Sequence, residues 1–544
     1  MVNDPEKLVE LLYELVESRG ISGTAEEKVM ADKVYSLLED LSYFKQVKPE
    51  NLKLHKIETD PLGRTFVSAL LEGRGNNTVV LLNHFDVVDV EDYGALSETA
   101  FKPRELTEKL AGMDLPAEAR QDLESQEWIF GRGTMDMKAG LALQIDLLEE
   151  LSRDPDSLEG NILFLSVPGE ENSSEGMLAA VPFLNYMEQQ RGLNYTGLVN
   201  CEPLKKNEVG EFEISTGTAG KLLPLFYCFG KETHGMVPFQ GLNSALLFAQ
   251  LETILELNSE LSDSYKGVYS MPPTNLKTKD LRRVYNVTTP QVTAGYFNVF
   301  SLEQTPGEVL SKLRKLSRQA FQRSIDIYNS RLEEFRQLSG QEIEGVDWQP
   351  NIYSYQELYN SVLEEHGEEI NRHLDSFISD LKKEVNDQRE FTLRLIDELH
   401  NYCPDRTPKI VIAFAPPYYP KFRNRGETAK EKFMLEVVDS IKQQAQEEYD
   451  EKLWVNNCWG INDLSYCGLQ DSQDIVENLR PNMPAMGEVY HFPVEELQKL
   501  NLPALIIGPW GKDSHKFTER LHLPFFTEKA PHLLRYTVME LLKY

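Results

Sequence analysis

A histidine and an aspartate lie two positions apart at the end of an apolar run in this sequence. His84 and Asp86 follow Thr78–Asn83 in the segment LLNHFDVVD. In extended backbone, residues two apart point to the same face. This spacing suits an imidazole that binds a metal beside a carboxylate that orients the ring. Taken alone, the pair also fits a hydrogen-bonded structural histidine.

Two adjacent acids, Glu170 and Glu171, follow the apolar run Asn161–Val167 in the segment SVPGEENSSEG. Paired acids on a loop are commonly solvated. A hydrolytic metal site, however, needs carboxylates both as ligands and as a general base. Glu170 and Glu171 are therefore candidates for these two roles.

Three further residues occupy similar places in the chain. Asp136 lies in GRGTMDMKAG before an apolar helical run, Glu202 lies in VNCEP after a strand-like run, and His515 lies in GKDSH after another. Each has an ordinary alternative: a helix N-cap, a solvated acid and a surface histidine, respectively. Zinc accepts mixed imidazole and carboxylate ligands, and two metals share one carboxylate between them. The ligand count of such a site is met by His84, Asp136, Glu171, Glu202 and His515, and Glu170 remains as the base.

The apolar runs alternate between helix and strand periods, which predicts an α/β domain with a sheet flanked by helices. We assign residues 1–213 and 421–544 to this domain. Residues 214–420 are predicted to form an inserted α+β domain with a helical insertion at about 340–405. One of its predicted strands is Val284–Val287.

Charge and cysteine content narrow the function classes. The 56 basic and 87 acidic residues give a net charge of −31, which argues against nucleic acid or an anionic membrane as the main partner. Five cysteines without a C-x-x-C spacing favour a reducing compartment. The amino terminus lacks the basic start and apolar centre of a secretory signal, and no segment approaches a membrane span. We therefore expect a cytoplasmic protein.

The candidate motifs, taken in order, carry a family resemblance. They resemble the metal motifs of the co-catalytic zinc amidohydrolase and exopeptidase family that includes aminoacylase, glutamate carboxypeptidase and succinyl-diaminopimelate desuccinylase. The matching segments are HFD at 84–86, GRGTMDMKAG at 131–140, PGEENSSEG at 168–176, NCEP at 200–203 and HKFTE at 515–519. SRGISGTAEE at 18–27 is similar to the family's opening. GKETHGMVPFQGLNS at 230–244 and YNVTTP at 285–290 are similar to segments of its inserted lid domain.

The resemblance implies a catalytic domain with a central mixed sheet, interrupted by the lid, and two Zn²⁺ ions, with Co²⁺ or Mn²⁺ as alternatives. It implies that His84 and Glu202 bind one ion and that Glu171 and His515 bind the other. Asp136 is implied to bridge the ions and to precede a cis peptide bond to Met137.

The implied reaction is hydrolysis of an amide or peptide bond in a small amino-acid or short-peptide derivative. Glu170 is implied to take a proton from the metal-bridging water and to pass it to the leaving amine, while Asp86 orients His84. His234 is implied to reach from the lid, in cis or from a partner subunit of a homodimer, to stabilise the oxyanion. Asn286 is implied to contact the substrate.

Some features depart from the family pattern and leave alternatives open. The segment between His84 and Asp136 contains a charged insert at 95–126, and FNVFSLEQ at 297–304 replaces the Asp-x-Arg of relatives. Recognition of a substrate carboxylate could then fall to Arg282, Arg283, Arg423 or Arg425. Carboxypeptidase, aminopeptidase, dipeptidase and N-deacylase activities all remain open.

The length of the chain and its large insertion are most similar to family members of arginine utilisation. This similarity implies a role in arginine or amino-acid catabolism. The alternative is a catalytically inactive member that acts as a binding or regulatory module in amino-acid utilisation.

Overall fold

The computed structural model describes residues 4–282, 284–458 and 460–544, which divide into two compact units. Unit 1 contains the described residues up to Thr218 together with Phe422–Leu469 and Pro493–Tyr544. Unit 2 contains Ala219–Lys421 and Gln470–Phe492. No helix among the described residues is both long and apolar enough to cross a membrane.

The assignment of all of 421–544 to the first domain needs correction at Gln470–Phe492. This segment makes its hydrogen bonds with unit 2. Asp474 accepts from Gly307 N at 2.8 Å, Asn482 accepts from Gln356 N at 3.0 Å, and Tyr490 Oη accepts from Tyr418 N at 3.2 Å. These long-range bonds have no local sequence signal, because each joins residues that are distant along the chain.

Unit 1 is built on a nine-stranded mixed sheet, in agreement with the predicted fold class. Its centre consists of four adjacent parallel strands, and their near-continuous apolar sequences reflect burial on both faces. The strand order is Leu52–Lys56, Thr65–Leu71, Asn161–Val167, Asn77–His84, Asn194–Asn200, Ala504–Ile506, Phe212–Ser215 and Leu453–Asn456, with Lys205–Lys206 beside Phe212–Ser215.

Helices surround this sheet. The helix Lys138–Leu151 is buried along most of its length, which explains why its sequence is apolar on nearly every side. The charged insert predicted at 95–126 contains two short helices. The α-helices of unit 1 are Pro5–Glu17, Glu26–Glu39, Pro103–Ala111, Ala117–Ser125, Lys138–Leu151, Glu175–Arg191, Ala429–Tyr449, Val494–Leu500 and Ala530–Leu541.

A small three-stranded sheet in unit 1 positions two loops. Gly511–Lys512 and Arg520–His522 form an antiparallel hairpin, and Trp128–Phe130 pairs with its second strand. A backbone hydrogen bond from Gly131 N to Glu519 O, 3.1 Å long, continues this pairing. The hairpin loop and the segment after Phe130 are thereby held side by side.

Unit 2 contains a five-stranded sheet in the order Thr274–Asp280, Val292–Ser301, Gly220–Phe229, Lys409–Tyr419 and Ile352–Ser354. Its longest helix, Pro306–Ser339, begins with a capping box between Thr305 and Glu308 and ends at Gly340, whose φ of +67° favours glycine. The other main helices are Ser244–Leu255, Tyr355–His366, Glu368–Glu384 and Gln388–Asn401.

The prediction of a strand at Val284–Val287 is wrong. The edge strand of the sheet is Thr274–Asp280, and Val284, Tyr285 and Val287 are exposed. The backbone near Val287 instead pairs with the 233–235 segment, through a 2.8 Å hydrogen bond from Gly235 N to Val287 O. The apolar, β-branched character of this run therefore does not reflect burial in the sheet.

A buried histidine in unit 2 should make stability depend on pH. Burial, assisted by Lys409 and Arg406, lowers the pKa of His400 to about 3, although Asp405 opposes the shift. Below pH 6.5 the unfolded chain binds a proton at this residue that the folded chain does not bind, so the free energy of unfolding falls as the pH drops. Between pH 7.5 and 5.0 the wild type should therefore lose about 2 kcal/mol more than His400→Gln.

Denaturant unfolding of both proteins at the two pH values measures this difference. Equal losses of stability in the wild type and the variant would show that His400 does not stay neutral in the folded protein.

Candidate active site

Candidate residues lie at the carboxyl ends of three adjacent parallel strands in unit 1. His84 is the last residue of Asn77–His84, Glu170 and Glu171 follow Asn161–Val167, and Glu202 follows Asn194–Asn200. Because parallel strands end at the same edge of a sheet, these side chains converge.

The small sheet brings the other two candidates to the same place. His515 lies in the loop of the hairpin, and Asp136 lies between Trp128–Phe130 and the helix Lys138–Leu151. His515 has a φ of +63°, a left-handed conformation that is uncommon for residues other than glycine and is enriched at functional sites. The peptide bond between Asp136 and Met137 is cis, as the family resemblance implied.

Asp136 lies between the two imidazoles. Its Oδ1 is 3.5 Å from His84 Nε2, and its Oδ2 is 3.2 Å from His515 Nε2. Glu202 Oε1 is 3.4 Å from His84 Nε2, and Glu171 Oε2 is 3.1 Å from His515 Nε2. One oxygen of Asp136 therefore faces each imidazole–carboxylate pair.

The geometry around His84 fits a cation site. Its Nδ1 lies 3.0 Å from the main-chain oxygen of Asp86, whereas Nε2 is buried and has no hydrogen-bond partner within the described chain. Ligand atoms within 4.8 Å of one another occur in two groups, His84 with Glu170 and Glu202, and His84 with Asp136 and Glu171. Imidazole and carboxylate ligands in this number suit zinc and related divalent ions.

The electrostatics of the cluster favour a cation as well. Burial raises the pKa of Glu170 well above its usual range and that of Glu171 to about 7, and burial also raises the pKa of Glu202. Although burial opposes it, the carboxylates of Glu202 and Asp136 raise the pKa of His84 well above its usual value. In the absence of a cation, bound protons neutralise the negative charge of the clustered carboxylates. Metal binding should therefore release protons.

Asp86 holds the loop that carries the two glutamates. Its Oδ1 accepts a hydrogen bond from Glu170 N and its Oδ2 accepts one from Glu171 N, both 3.1 Å long. The nearer contact of His84 Nδ1 is with the main-chain oxygen of Asp86, since the carboxylate lies at 3.6 Å. The main-chain oxygen of Asp86 therefore holds the imidazole of His84, and the buried Asp86 carboxylate holds the loop.

Two functional candidates were missed in the sequence, although both lie in quoted motifs. Glu519 Oε1 accepts from the backbone N–H groups of Met135 and Asp136, at 3.3 and 3.4 Å. Arg132 Nη1 donates to Glu519 Oε2 at 2.8 Å, and both side chains are buried. The ion pair holds the turn of Asp136. The available sequence signal was the presence of an arginine in the GRG motif and of a glutamate in HKFTE, next to the candidate ligands Asp136 and His515.

Replacing Arg132 with methionine should damage this turn. Removing one partner of a buried ion pair costs about 3–5 kcal/mol of stability, and loss of a residue that supports a ligand weakens metal affinity by roughly 10–100-fold. Zn²⁺ competition titration and denaturant unfolding measure the two effects. The control is Arg104→Met, which breaks an exposed pair with Glu10 and should change stability by no more than about 1 kcal/mol. Equal behaviour of the two variants would contradict the role of Arg132.

Asp463 is a third missed candidate. It lies in the short 3₁₀ helix Asp463–Tyr466 and is 2% exposed. Burial raises its pKa to about 7, and its charge in turn raises the pKa of Glu170.

His234 and Asn286 lie on neighbouring exposed segments of unit 2. His234 forms an isolated β-bridge with Thr288, whose N–H donates to Asn286 Oδ1 at 3.1 Å. Met236 N donates to His234 Nδ1 at 3.1 Å, which leaves Nε2 as the protonated nitrogen of the neutral ring.

The arginines considered for carboxylate recognition have different surroundings. Arg282 pairs with Asp280 and donates to the main-chain oxygen of Thr288 in unit 2. Arg423 is buried in unit 1. Arg283 lies outside the described residues. The surroundings of Arg282 and Arg423 do not single out either residue as the one that binds a substrate carboxylate.

A mixed α/β sheet whose strand ends gather histidines and carboxylates is the type of site that metal-dependent hydrolases use. Residues 80–521 match the sequence profile of Peptidase family M20/M25/M40, and the chain belongs to this family. It is a metallohydrolase of the peptidase and amidohydrolase type that acts on C–N bonds.

Relatives extend over the whole chain. An uncharacterised protein of Bacillus subtilis, YqjN, is 36% identical over 99% of this chain and 97% of its own length. Protein RocB of Bacillus subtilis is 28% identical over 100% of this chain and 96% of its own length. The solved structure of an M20 family metallo-carboxypeptidase from Sulfolobus solfataricus has a TM-score of 0.53 and 13% identity, with 98% of this chain and 99% of that chain covered. The last comparison supports the fold alone.

Proposed function

We propose that this protein is a zinc-dependent hydrolase that cleaves an amide or peptide bond in a small amino-acid or peptide derivative. The observation that carries the proposal is the position of Asp136, whose two oxygens face His84 and His515 separately. A carboxylate shared in this way is what two neighbouring metal ions require. Family membership supports the same reaction class.

In this proposal, one ion is held by His84 and Glu202 and the other by Glu171 and His515, with Asp136 shared. The ions, when bound, polarise the substrate carbonyl and lower the pKa of water. His84 and His515 bind through Nε2, the nitrogen that faces the carboxylates in both cases.

Glu170 is the proposed general base. Its Oε2 lies 3.9 Å from His84 Nε2, so it borders the metal ligands, while its backbone N–H is fixed by Asp86. The proposed ligand set is complete without it. Glu170 therefore remains available to accept a proton from the attacking water and to deliver it to the leaving amine.

His234 is the proposed oxyanion donor, and Asn286 a substrate contact. A neutral His234 with its hydrogen on Nε2 has the donor that a developing oxyanion needs. The proposal includes a homodimer formed through the lid, in which His234 acts in cis or in trans. Mixing His234→Ala with Glu170→Gln subunits separates these cases, because only action in trans restores activity in the mixture.

The proposed setting is arginine or amino-acid catabolism in the cytoplasm. It is supported by the full-length similarity to RocB and by the odd number of cysteines without a C-x-x-C spacing, all of which are buried. The net charge of −31 argues against nucleic acid or an anionic membrane as the main partner, which agrees with a small-molecule substrate.

The test is a substrate screen on metal-depleted and Zn²⁺-reloaded protein. The panel contains N-acyl amino acids and dipeptides, including arginine and ornithine derivatives. We expect at least one substrate to be hydrolysed only after reloading, with a gain in rate of at least about 10²-fold. Equal hydrolysis by the depleted and the reloaded protein would contradict metal dependence. Two bound Zn²⁺ ions without hydrolysis of any compound in the panel would favour an unusual substrate over a catalytically inactive protein.

A further inference from the structure

A cavity of about 260 Å³ lies between the edge of the nine-stranded sheet and the end of a helix in unit 1. Its floor is formed by the edge strand Leu52–Lys56 and the neighbouring strand Thr65–Leu71. Its cover is the carboxyl-terminal part of the helix Glu175–Arg191. Sites for drug-sized ligands occupy roughly 300–1,000 Å³, so this cavity has room for a smaller molecule.

The sheet face below this helix is partly polar. Lys53 pairs with Ser68 across the two strands and His55 pairs with Phe66, so the four side chains share one face. A sheet face that a helix covers normally carries apolar side chains. His55 Nε2 lies 2.8 Å from Ser68 Oγ. Burial, assisted by Lys53, lowers the pKa of His55 to about 4, so the floor contributes a neutral hydrogen-bonding pair.

Two cationic side chains line the cavity. Lys53 is exposed, and its ammonium group forms no ion pair or hydrogen bond with any residue that the structure describes. Arg191 Nη2 donates to Asn51 Oδ1 at 2.9 Å and to Glu72 Oε1 at 2.5 Å. The guanidinium group is therefore held in place, whereas the charge of Lys53 is available to a ligand.

The local charge is positive, although the chain as a whole carries a net charge of −31. Glu72 is shared between Arg191 and Lys48, whose Nζ lies 3.1 Å from Glu72 Oε2. Glu50 also lines the cavity. Among the described lining residues and their ion-pair partners, Lys48, Lys53 and Arg191 thus outnumber the two acids. This balance favours an anionic ligand.

The helix contributes an apolar wall. Phe183 lies three positions before Tyr186 and four before Met187, so the three side chains share one face of the helix. The ring centroid of Phe183 is 4.4 Å from that of His55. Tyr186 is 59% exposed, so much of its aromatic surface is available for contact with a ligand.

We propose that this cavity binds a small organic carboxylate that carries an apolar group. Lys53 and Arg191 bind the carboxylate, because an ammonium and a guanidinium group match its charge. The pair of His55 and Ser68 hydrogen-bonds to a polar atom of the ligand, and Tyr186 packs against its apolar group. None of these residues is a proposed metal ligand, so the inference does not depend on the proposed function.

The probe is 4-phenylbutyrate, which has a carboxylate and an aromatic ring but no amide bond that a hydrolase could cleave. Isothermal titration calorimetry measures its Kd for the Zn²⁺-loaded protein, beside that of the uncharged 4-phenyl-1-butanol. Lys53→Met removes one cation and Tyr186→Ala removes part of the apolar wall. Both residues are exposed, so both variants should fold. The control is Lys28→Met, at an exposed lysine of the helix Glu26–Glu39.

We expect a Kd of about 0.1–1 mM for 4-phenylbutyrate, in line with the small size of this ligand. The alcohol should bind at least about tenfold more weakly, because it lacks the charge. Lys53→Met and Tyr186→Ala should each raise the Kd by about fivefold. Lys28→Met should stay within about twofold of the wild type. Removal of Zn²⁺ should leave the Kd unchanged, since none of the described lining residues is a proposed metal ligand.

Several results would overturn the inference. These are no saturable binding up to about 10 mM probe, equal affinity for the alcohol and the carboxylate, or wild-type affinity in either Lys53→Met or Tyr186→Ala. Binding that disappears with Zn²⁺ would place the probe at the metal site and would also overturn it. A wild type that binds the probe as expected but binds no Zn²⁺ would reject the proposed function and support this inference.

Discussion

Glu170→Gln should lower kcat by roughly 10²–10⁴-fold and leave two metal ions bound. Glutamine preserves the volume of the side chain and its place in the loop, where Asp86 holds the backbone. It removes the group that accepts and returns a proton. Steady-state kinetics with the best substrate of the screen, together with metal analysis of the same sample, measures both outcomes.

A matched control is Glu208→Gln, which makes the same chemical change at an exposed turn of unit 1 and should leave kcat and metal content unchanged. Loss of an ion in Glu170→Gln would make Glu170 a ligand. Unchanged turnover in Glu170→Gln would remove it from the mechanism.

Asp136→Ala should have the second large effect, because Asp136 faces both imidazole–carboxylate pairs. Loss of a shared ligand weakens both ions, so we expect apparent Zn²⁺ affinity to fall by more than about 10²-fold at each site. Activity should fall with it. Glu171→Ala is the informative comparison, since it removes a ligand of one ion only.

Metal analysis after gel filtration should then find two zinc ions in the wild type, one in Glu171→Ala and none in Asp136→Ala. Asp114→Ala, an exposed aspartate in unit 1, serves as the control and should keep both ions. Retention of two ions by Asp136→Ala would exclude a shared carboxylate.

The convergence of the ligands could be predicted because each one follows or precedes an apolar run. His84 and Glu202 end neighbouring parallel strands, and such strands end at one edge whatever loops connect them. Chain order and motif spacing were sufficient for this part of the site.

The supporting contacts could not be predicted in the same way. The hydrogen bonds of Glu519 with Arg132 and with Met135 N join segments that lie far apart in the sequence. Their partners depend on which loops meet after folding. A buried charge in a loop has no periodicity that would reveal its partner.

Two features of unit 2 also depend on contacts between distant segments that the sequence does not reveal. Val284–Val287 has the composition of a strand, yet its valines are exposed and its backbone pairs with another loop. Gln470–Phe492 returns to unit 2 through single hydrogen bonds such as that from Gly307 N to Asp474. Local sequence propensity predicts neither the conformation of residues 284–287 nor the location of Gln470–Phe492 in unit 2, because tertiary contacts determine both.

The most direct measurement is an anomalous difference map at the zinc absorption edge from crystals grown with Zn²⁺. The proposed site predicts two peaks about 3.5–4 Å apart, one beside His84 and Glu202 and one beside Glu171 and His515, with Asp136 between them. A map with no peak at these residues, or with a single peak that Asp136 does not touch, would contradict a dinuclear hydrolase.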